Sequence, residues 1–234
     1  MSAKPLEAVL LDVDGTLVDS NDAHAQAWFE VFAHNGYATT LERVRALIGE
    51  GGDKLIPQIT RLDAGSHEAK RLSAERGALF KRVYLPALRA FPQAETLLRK
   101  LSEAGLRLVV ASSAKQEELR PLLELCGATR YIEHQTSSDD AAHSKPDPDI
   151  VQVALAKARC SPGAAVMLGD TPYDVTAAAR AGVRAIALRS GGHPDAALAG
   201  AIAVYDDAAD LVANFSGSIF SSATALSSGV MREP

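Results

Sequence analysis

The stretch Ala8-Val9-Leu10-Leu11-Asp12-Val13-Asp14-Gly15-Thr16 decides the fold. Four apolar residues in a row carry no helical period and stop at an acidic residue near the turn former Gly15, the pattern of a strand buried on both faces. Runs of the same kind recur at Leu106 to Ala111, Ala165 to Leu168 and Ala185 to Leu188, each followed by small or acidic residues. Between them lie helix-like segments: Pro92 to Ala104 with Gly105 past its end, Pro148 to Ala158 opened by Asp147, and Tyr173 to Ala181 closed by Gly182. Gln116 to Leu125 is helical too, but Pro121 within it predicts a kink or a late start. Strands alternating with helices predict an α/β, doubly wound, Rossmann-like parallel sheet with right-handed crossovers.

The alternation breaks from about Asp22 to Leu88. Apolar residues there fall at helical spacing (Ala27, Val31; Leu55, Ile59; Leu72, Leu79, Val83), and Gly36 reads as a helix stop. An all-helical cap inserted directly after the first strand is expected, giving a core of residues 1–20 and 89–215 and a cap of 21–88. The Ser-, Gly- and Ala-rich stretch 216–234 is expected to be a flexible tail, with a docked terminal helix around Ile219 to Leu226 as the alternative.

The chain has 234 residues, enough for one large domain or a core with a small insertion. With 24 Lys and Arg against 29 Asp and Glu, the formal charge of -5 argues against a nucleic-acid backbone as partner. Two distant cysteines, Cys126 and Cys160, make neither a disulfide framework nor a zinc site and are expected as buried thiols in a reducing compartment. The apolar run at the N-terminus ends too early for a secretory signal, and no stretch is long enough to span a bilayer. A cytoplasmic protein with no membrane partner is expected.

In open α/β sheets the functional crevice lies beyond the carboxyl ends of the strands. The residues there are Asp12, Asp14 and Thr16; Ser112 and Ser113; Asp170 and Asp174; Lys145 joins from a Pro-bounded loop. One such Asp is commonly a helix cap or a solvated turn; several converging carboxylates repel unless a cation neutralises them. Oxygen donors without nearby His or Cys favour magnesium. Ser112 can donate to a phosphate oxygen and Lys145 supplies a positive charge for the same group, so the set suits phosphoryl transfer. Asp12 and Asp14, two apart in extended chain, share one side. Asp12 can attack phosphorus, while a protonated Asp14 serves the departing alcohol and then the hydrolytic water.

Asp12 to Thr16 (D-V-D-G-T), Ser112 after a strand, Lys145 in K-P-D-P and Gly169 to Asp174 (G-D-T-P-Y-D) stand in the order that resembles a haloacid dehalogenase superfamily phosphatase, of the phosphoglycolate phosphatase and beta-phosphoglucomutase-like group, over about residues 6–215. The resemblance implies magnesium as cofactor and a small phosphorylated metabolite as substrate. It implies Asp12 as nucleophile, Asp14 as general acid/base and backbone-carbonyl metal ligand, and Asp170 as metal ligand. Ser112 and Lys145 would bind phosphate; Thr16 would steady the loop, and Asp174 would position Lys145 or a metal-bound water.

His24 and Trp28 in H-x-x-A-W, and Lys115 after Ser112, are shared with the beta-phosphoglucomutases. Those mutases usually carry an acidic residue where this chain has Gly169, a Gly where it has Asp174, and an Arg in the cap loop that here reads Gly49-Glu50-Gly51-Gly52-Asp53-Lys54. A phosphatase is therefore expected over a phosphomutase. True dehalogenases lack the second Asp, and phospho-accepting receiver modules lack the insertion and place the acceptor on a later strand. His24 either serves a proton path near Asp14 or is a satisfied helix-face histidine, and Trp28 reads as cap core. Lys115 either touches phosphate or is a solvated helix-start lysine. The Gly-rich loop with Glu50 and Lys54 either reaches over the site or is a plain interhelical turn.

Overall fold

The computed structural model describes residues 5–221. Six strands, β1 (Ala8–Leu11), β2 (Arg107–Ala111), β3 (Ile132–Thr136), β4 (Ala165–Gly169), β5 (Arg184–Leu188) and β6 (Ala203–Tyr205), form one sheet in the order β3-β2-β1-β4-β5-β6. Every neighbouring pair is parallel. The chain runs outward from β1 to β3, then restarts at β4 and runs outward to β6 on the other side. The strand order reverses between β1 and β4, the point at which such sheets open a crevice.

After β1 come α1 (Asn21–His34), α2 (Leu41–Arg45), α3 (Gly52–Thr60) and α4 (His67–Leu79), which runs on through a wider turn at Phe80–Tyr84 and a tighter one at Leu85–Ala87. This is the expected helical cap. It holds a cluster of its own, in which Trp28, Val31, Phe32, Val44, Leu55, Ile56 and Leu72 are buried together.

The core helices are α5 (Ala94–Glu103), α6 (Gln116–Leu125), α7 (Asp149–Ala158), α8 (Pro172–Arg180) and α9 (Ala208–Ala213). Period-two alternation sends Val9, Leu11, Val110 and Leu168 to one face of the sheet, in a cluster with Leu97 of α5, Leu122 of α6 and Leu211 of α9. Ala8, Leu10, Val109 and Met167 go to the other, with Ile150 of α7 and Ala177 of α8. Both faces are covered, which is why the strands read as unbroken apolar runs.

The structure departs from the sequence expectation in three places. β3 and β6 carry no apolar run: they are the sheet edges, and Glu133 and His134 face solvent. Helix α6 starts at Gln116 and continues through Pro121 without a break. The one amide that Pro121 cannot supply would have met the carbonyl of Glu117, an exposed residue that water can serve. The tail expected from residue 216 does not begin there, because Phe220 is fully buried in the sheet cluster and stacks on Phe215 at 6.0 Å between ring centroids. The rest of that stretch, and most of the alternative helix around Ile219 to Leu226, lies outside the described residues. Phe220→Ala is expected to cost about 3 kcal/mol in urea unfolding, as for other buried aromatic deletions; a cost near zero would return this segment to the tail.

Both cysteines are free, Cys126 buried and Cys160 only partly so. Among the described residues no helix is long and apolar enough to cross a membrane.

Candidate active site

Asp12 follows β1 and Asp170 follows β4, so the pair flanks the reversal crevice. Lys145 enters from the loop before α7, and Asp174 from the first turn of α8. All four are buried. The Lys145 ammonium donates to Oδ1 of Asp12 and to Oδ1 of Asp174, each at 2.6 Å. Oδ2 of Asp174 accepts from the Thr171 amide at 3.0 Å and from its hydroxyl at 2.7 Å, a capping box that fixes the carboxylate before Lys145 reaches it. The Thr16 hydroxyl has a single proton, and it lies 2.9 Å from Oδ1 of Asp170 but 3.3 Å from Oδ2 of Asp12. Asp170 accepts the shorter hydrogen bond. Oδ2 of Asp12 is thereby left the least engaged carboxylate oxygen of the cluster, on a residue lining a pocket of about 60 Å³.

Burial pushes Asp12 well above the usual carboxylate range against the pull of Lys145, with Asp174, Asp170 and Asp14 adding to the rise. Burial, then the Asp174 charge, pushes Asp170 up to about 7, although hydrogen bonds from Asn21 and Thr16 oppose it. For Lys145, burial opposes the charge, but Asp12 and Asp174 outweigh it and hold the ammonium above its ordinary value. With all four groups ionised, three carboxylates around one ammonium leave the site two positive charges short of balance. Asp12, Asp170 and Asp174 each offer an oxygen within 4.8 Å of the others, a donor set that fits a hard divalent cation. Oδ1 of Asn21 is a buried acceptor without a partner, while Nδ2 of the same residue donates to Asp170 at 2.8 Å. Gly15 permits this closeness. Its φ is +75° and a Cβ there would lie 2.1 Å from both the Asn21 amide nitrogen and an Asp170 oxygen.

The Asp14 carboxylate stands apart from that triad. It accepts from Ser20 at 2.5 Å and meets Nε2 of His24 at 2.8 Å. Burial alone would raise its pKa, but the His24 charge and the hydrogen bonds from His24 and Ser20 outweigh it and hold Asp14 below the ordinary value. Those contacts favour the carboxylate form, so Asp14 must gain a proton before it can serve a departing alcohol. Nδ1 of His24 faces the Arg76 guanidinium at 3.4 Å. An ionised carboxylate only accepts, so the Nε2 proton of His24 points to Asp14. The ring of His24 also stacks on Phe80 at 4.0 Å, so it is both a packed histidine and a neighbour of the acid.

Of the remaining residues singled out from the sequence, Ser112 lines the 60 Å³ pocket; its Oγ accepts the Ala114 amide at 3.0 Å and keeps its own proton to give. Glu50 lines the same pocket and is tied to Gln58 at 2.5 Å. Trp28 lines it while belonging to the cap cluster. Lys115 starts α6 and lines an adjoining chamber of about 280 Å³ instead. Lys54 faces neither: its ammonium pairs with Asp147 at 2.5 Å, so it joins the cap to the loop that carries Lys145. Ser20, Asn21, Arg76 and Glu118 were not singled out. Ser20 and Asn21 read as ordinary helix-start residues, and Arg76 and Glu118 as charges on solvated faces; burial reveals them, and burial is not written in their local sequence.

Residues 9–188 match the haloacid dehalogenase-like hydrolase family. The chain belongs to that family. It is similar to the phosphoglycolate phosphatase of Rhodospirillum rubrum, 33% identical over 88% of this chain and 89% of that one. Among solved structures it is similar to a hydrolase from Pseudomonas syringae, with a TM-score of 0.83, 28% identity and coverage of 90% and 98%. CbbY of Rhodobacter sphaeroides in complex with phosphate is similar at a TM-score of 0.71, 29% identity and coverage of 88% and 96%. Within the family frame, one departure from the mutase pattern acquires a steric cause. A Cβ on Gly169 would lie 2.4 Å from Cγ of Asp174, so the bare glycine is what lets Asp174 reach Lys145.

Proposed function

We propose that this haloacid dehalogenase-like hydrolase is a magnesium-dependent phosphatase that cleaves a small phosphomonoester through an aspartyl phosphate on Asp12. The observation that carries the reading is the asymmetry of Asp12, a residue of the pocket wall: Lys145 holds one oxygen at 2.6 Å while the other has only a long contact with Thr16. That free oxygen attacks phosphorus, the bond from phosphorus to the ester oxygen breaks, and Asp14 protonates the departing alkoxide. Water then attacks phosphorus, gives its proton to Asp14, and Asp12 is released with inorganic phosphate. A substrate dianion beside Asp14 raises its pKa again, the condition for it to carry that proton. Lys145 and the Ser112 hydroxyl hold phosphate oxygens. Asp12, Asp170 and the Asp14 carbonyl would hold magnesium, which supplies charge neutralisation for the transferring group. The names of relatives agree with this reading, which also takes the enzyme as cytoplasmic.

The test is phosphate release from a panel of metabolite phosphates with magnesium supplied; release from none of them overturns the reading. A hexose bisphosphate in the panel separates a mutase, which would yield an isomerised sugar phosphate. The metal assignment has a separate readout. Magnesium at a hundredfold excess over its dissociation constant is expected to add about 2.7 kcal/mol of stability. Asp170→Asn is expected to abolish most of that thermal shift; an equal shift in both proteins would move the metal elsewhere.

A further inference from the structure

Among the described residues seven buried side-chain polar atoms lack a hydrogen-bond partner, and three of them sit around the one catalytic pocket: Nε of Arg76, Oε1 of Glu118 and Oγ of Ser113. Buried polar atoms are seldom left unmet, and three of them on residues that line one pocket mark where a ligand can supply partners. Glu118 is fully buried on α6, and Arg76 on α4 of the cap is 7% exposed. They pair at 2.6 Å through Nη1 and Oε2, so each spends one end on the other and keeps one end free. Arg76 is further fixed by the Trp28 ring, 4.9 Å from its guanidinium carbon. Gly77 leaves room beside Oε1 of Glu118: a Cβ there would approach to 3.0 Å.

We propose that Arg76, Glu118 and Ser113 are the specificity-determining residues for the leaving group, and that this group is a neutral, hydroxyl-bearing chain such as a polyol. The inference rests on the phosphatase reading. Glu118 needs a donor, which a hydroxyl provides and a carboxylate does not; Arg76 needs an acceptor, which the oxygen of a second hydroxyl provides; Ser113 can take either role. A free carboxylate on the leaving group would meet Arg76 already neutralised by Glu118, with Asp12, Asp14 and Glu50 on the same walls. The 60 Å³ pocket shares Gly52, Arg76 and Ser113 as walls with the neighbouring chamber of about 280 Å³, so these side chains stand on the side of the pocket where a leaving group longer than two carbons would extend.

The test compares kcat/KM for erythritol 4-phosphate, butyl phosphate, phosphoglycolate and p-nitrophenyl phosphate in the magnesium-loaded protein. The polyol ester is expected to exceed butyl phosphate and phosphoglycolate by about tenfold or more, because a site built to hydrogen-bond hydroxyls discriminates strongly against their absence. Glu118→Gln must turn its carbonyl to Arg76 and its amino group to the ligand, where a hydroxyl can reverse its role and accept but the charge-assisted bond is lost, so the polyol-to-butyl ratio is expected to shrink about threefold. Ser113→Ala, a smaller change that spares the ion pair, is expected to shrink it about threefold. Butyl phosphate or phosphoglycolate matching the polyol ester, or a ratio unmoved in both variants, overturns the inference while p-nitrophenyl phosphate turnover leaves the phosphatase reading standing. No turnover of any ester overturns both.

Discussion

Asp12→Asn is expected to lower phosphatase turnover by about four orders of magnitude or more while the protein remains folded, because the amide keeps the carboxylate's shape and cannot attack phosphorus. The geometry makes the substitution mild for the fold. Lys145 donates to Oδ1, which the amide carbonyl can replace, and the amide nitrogen falls where Oδ2 now has only the 3.3 Å approach of Thr16. One buried charge is lost from a cluster in which burial already disfavours it, so thermal unfolding is expected to change by little or to improve. Steady-state kinetics beside a melting curve checks both halves. Residual activity within tenfold of wild type would place the nucleophile elsewhere, and a collapsed melting curve would make any activity loss uninformative about attack.

Lys145→Met is expected to be the costliest single change to stability, about 3–5 kcal/mol in metal-free buffer at neutral pH, because it strips the shared cation from two buried carboxylates. Activity is expected to fall with it through loss of the phosphate contact. The pH dependence has a definite sign. Without Lys145 the folded-state pKa of Asp12, already raised by burial, rises further above its unfolded value. A carboxyl group so raised makes the folded state bind more protons than the unfolded one, so stability falls as pH rises out of the acid range. The deficit is therefore expected to shrink toward pH 4–5 and to grow as pH rises to 7 and beyond. Urea unfolding at both pH values measures it; a deficit constant with pH would mean that lost packing, not orphaned charge, sets the cost.

Much of this molecule was legible because its centre is buried on both faces. β1, β2, β4 and β5 announce themselves as apolar runs, and the acidic residues that end β1 and β4 mark the crevice. The edges were not legible. Ile132–Thr136 reads Ile-Glu-His-Gln-Thr and Ala203–Tyr205 is three residues long, so backbone pairing rather than side-chain burial defines them. At the site, Asp12, Thr16, Lys145, Asp170 and Asp174 lie in one hydrogen-bonded cluster, whereas Asp14 pairs with Ser20 and His24, Lys115 lines the adjoining chamber and Lys54 turns to Asp147. What local pattern could not supply was partnership across long sequence separations. Arg76 and Glu118 are 42 positions apart and meet only when the cap lies on the core. Asn21 and Asp170 are 149 apart, joined by the reversal of strand order that brings β4 beside β1.

The contact between residue 169 and Asp174 also constrains how such a chain can change over time. Because any side chain at 169 collides with the carboxylate five positions on, the two ways of placing the last acidic group exclude each other. Neither single substitution is a workable halfway house: one crowds the Lys145 anchor and the other deletes it. A lineage that moved the acidic group from 174 to 169 would first have to give up the carboxylate that Lys145 now holds at 2.6 Å.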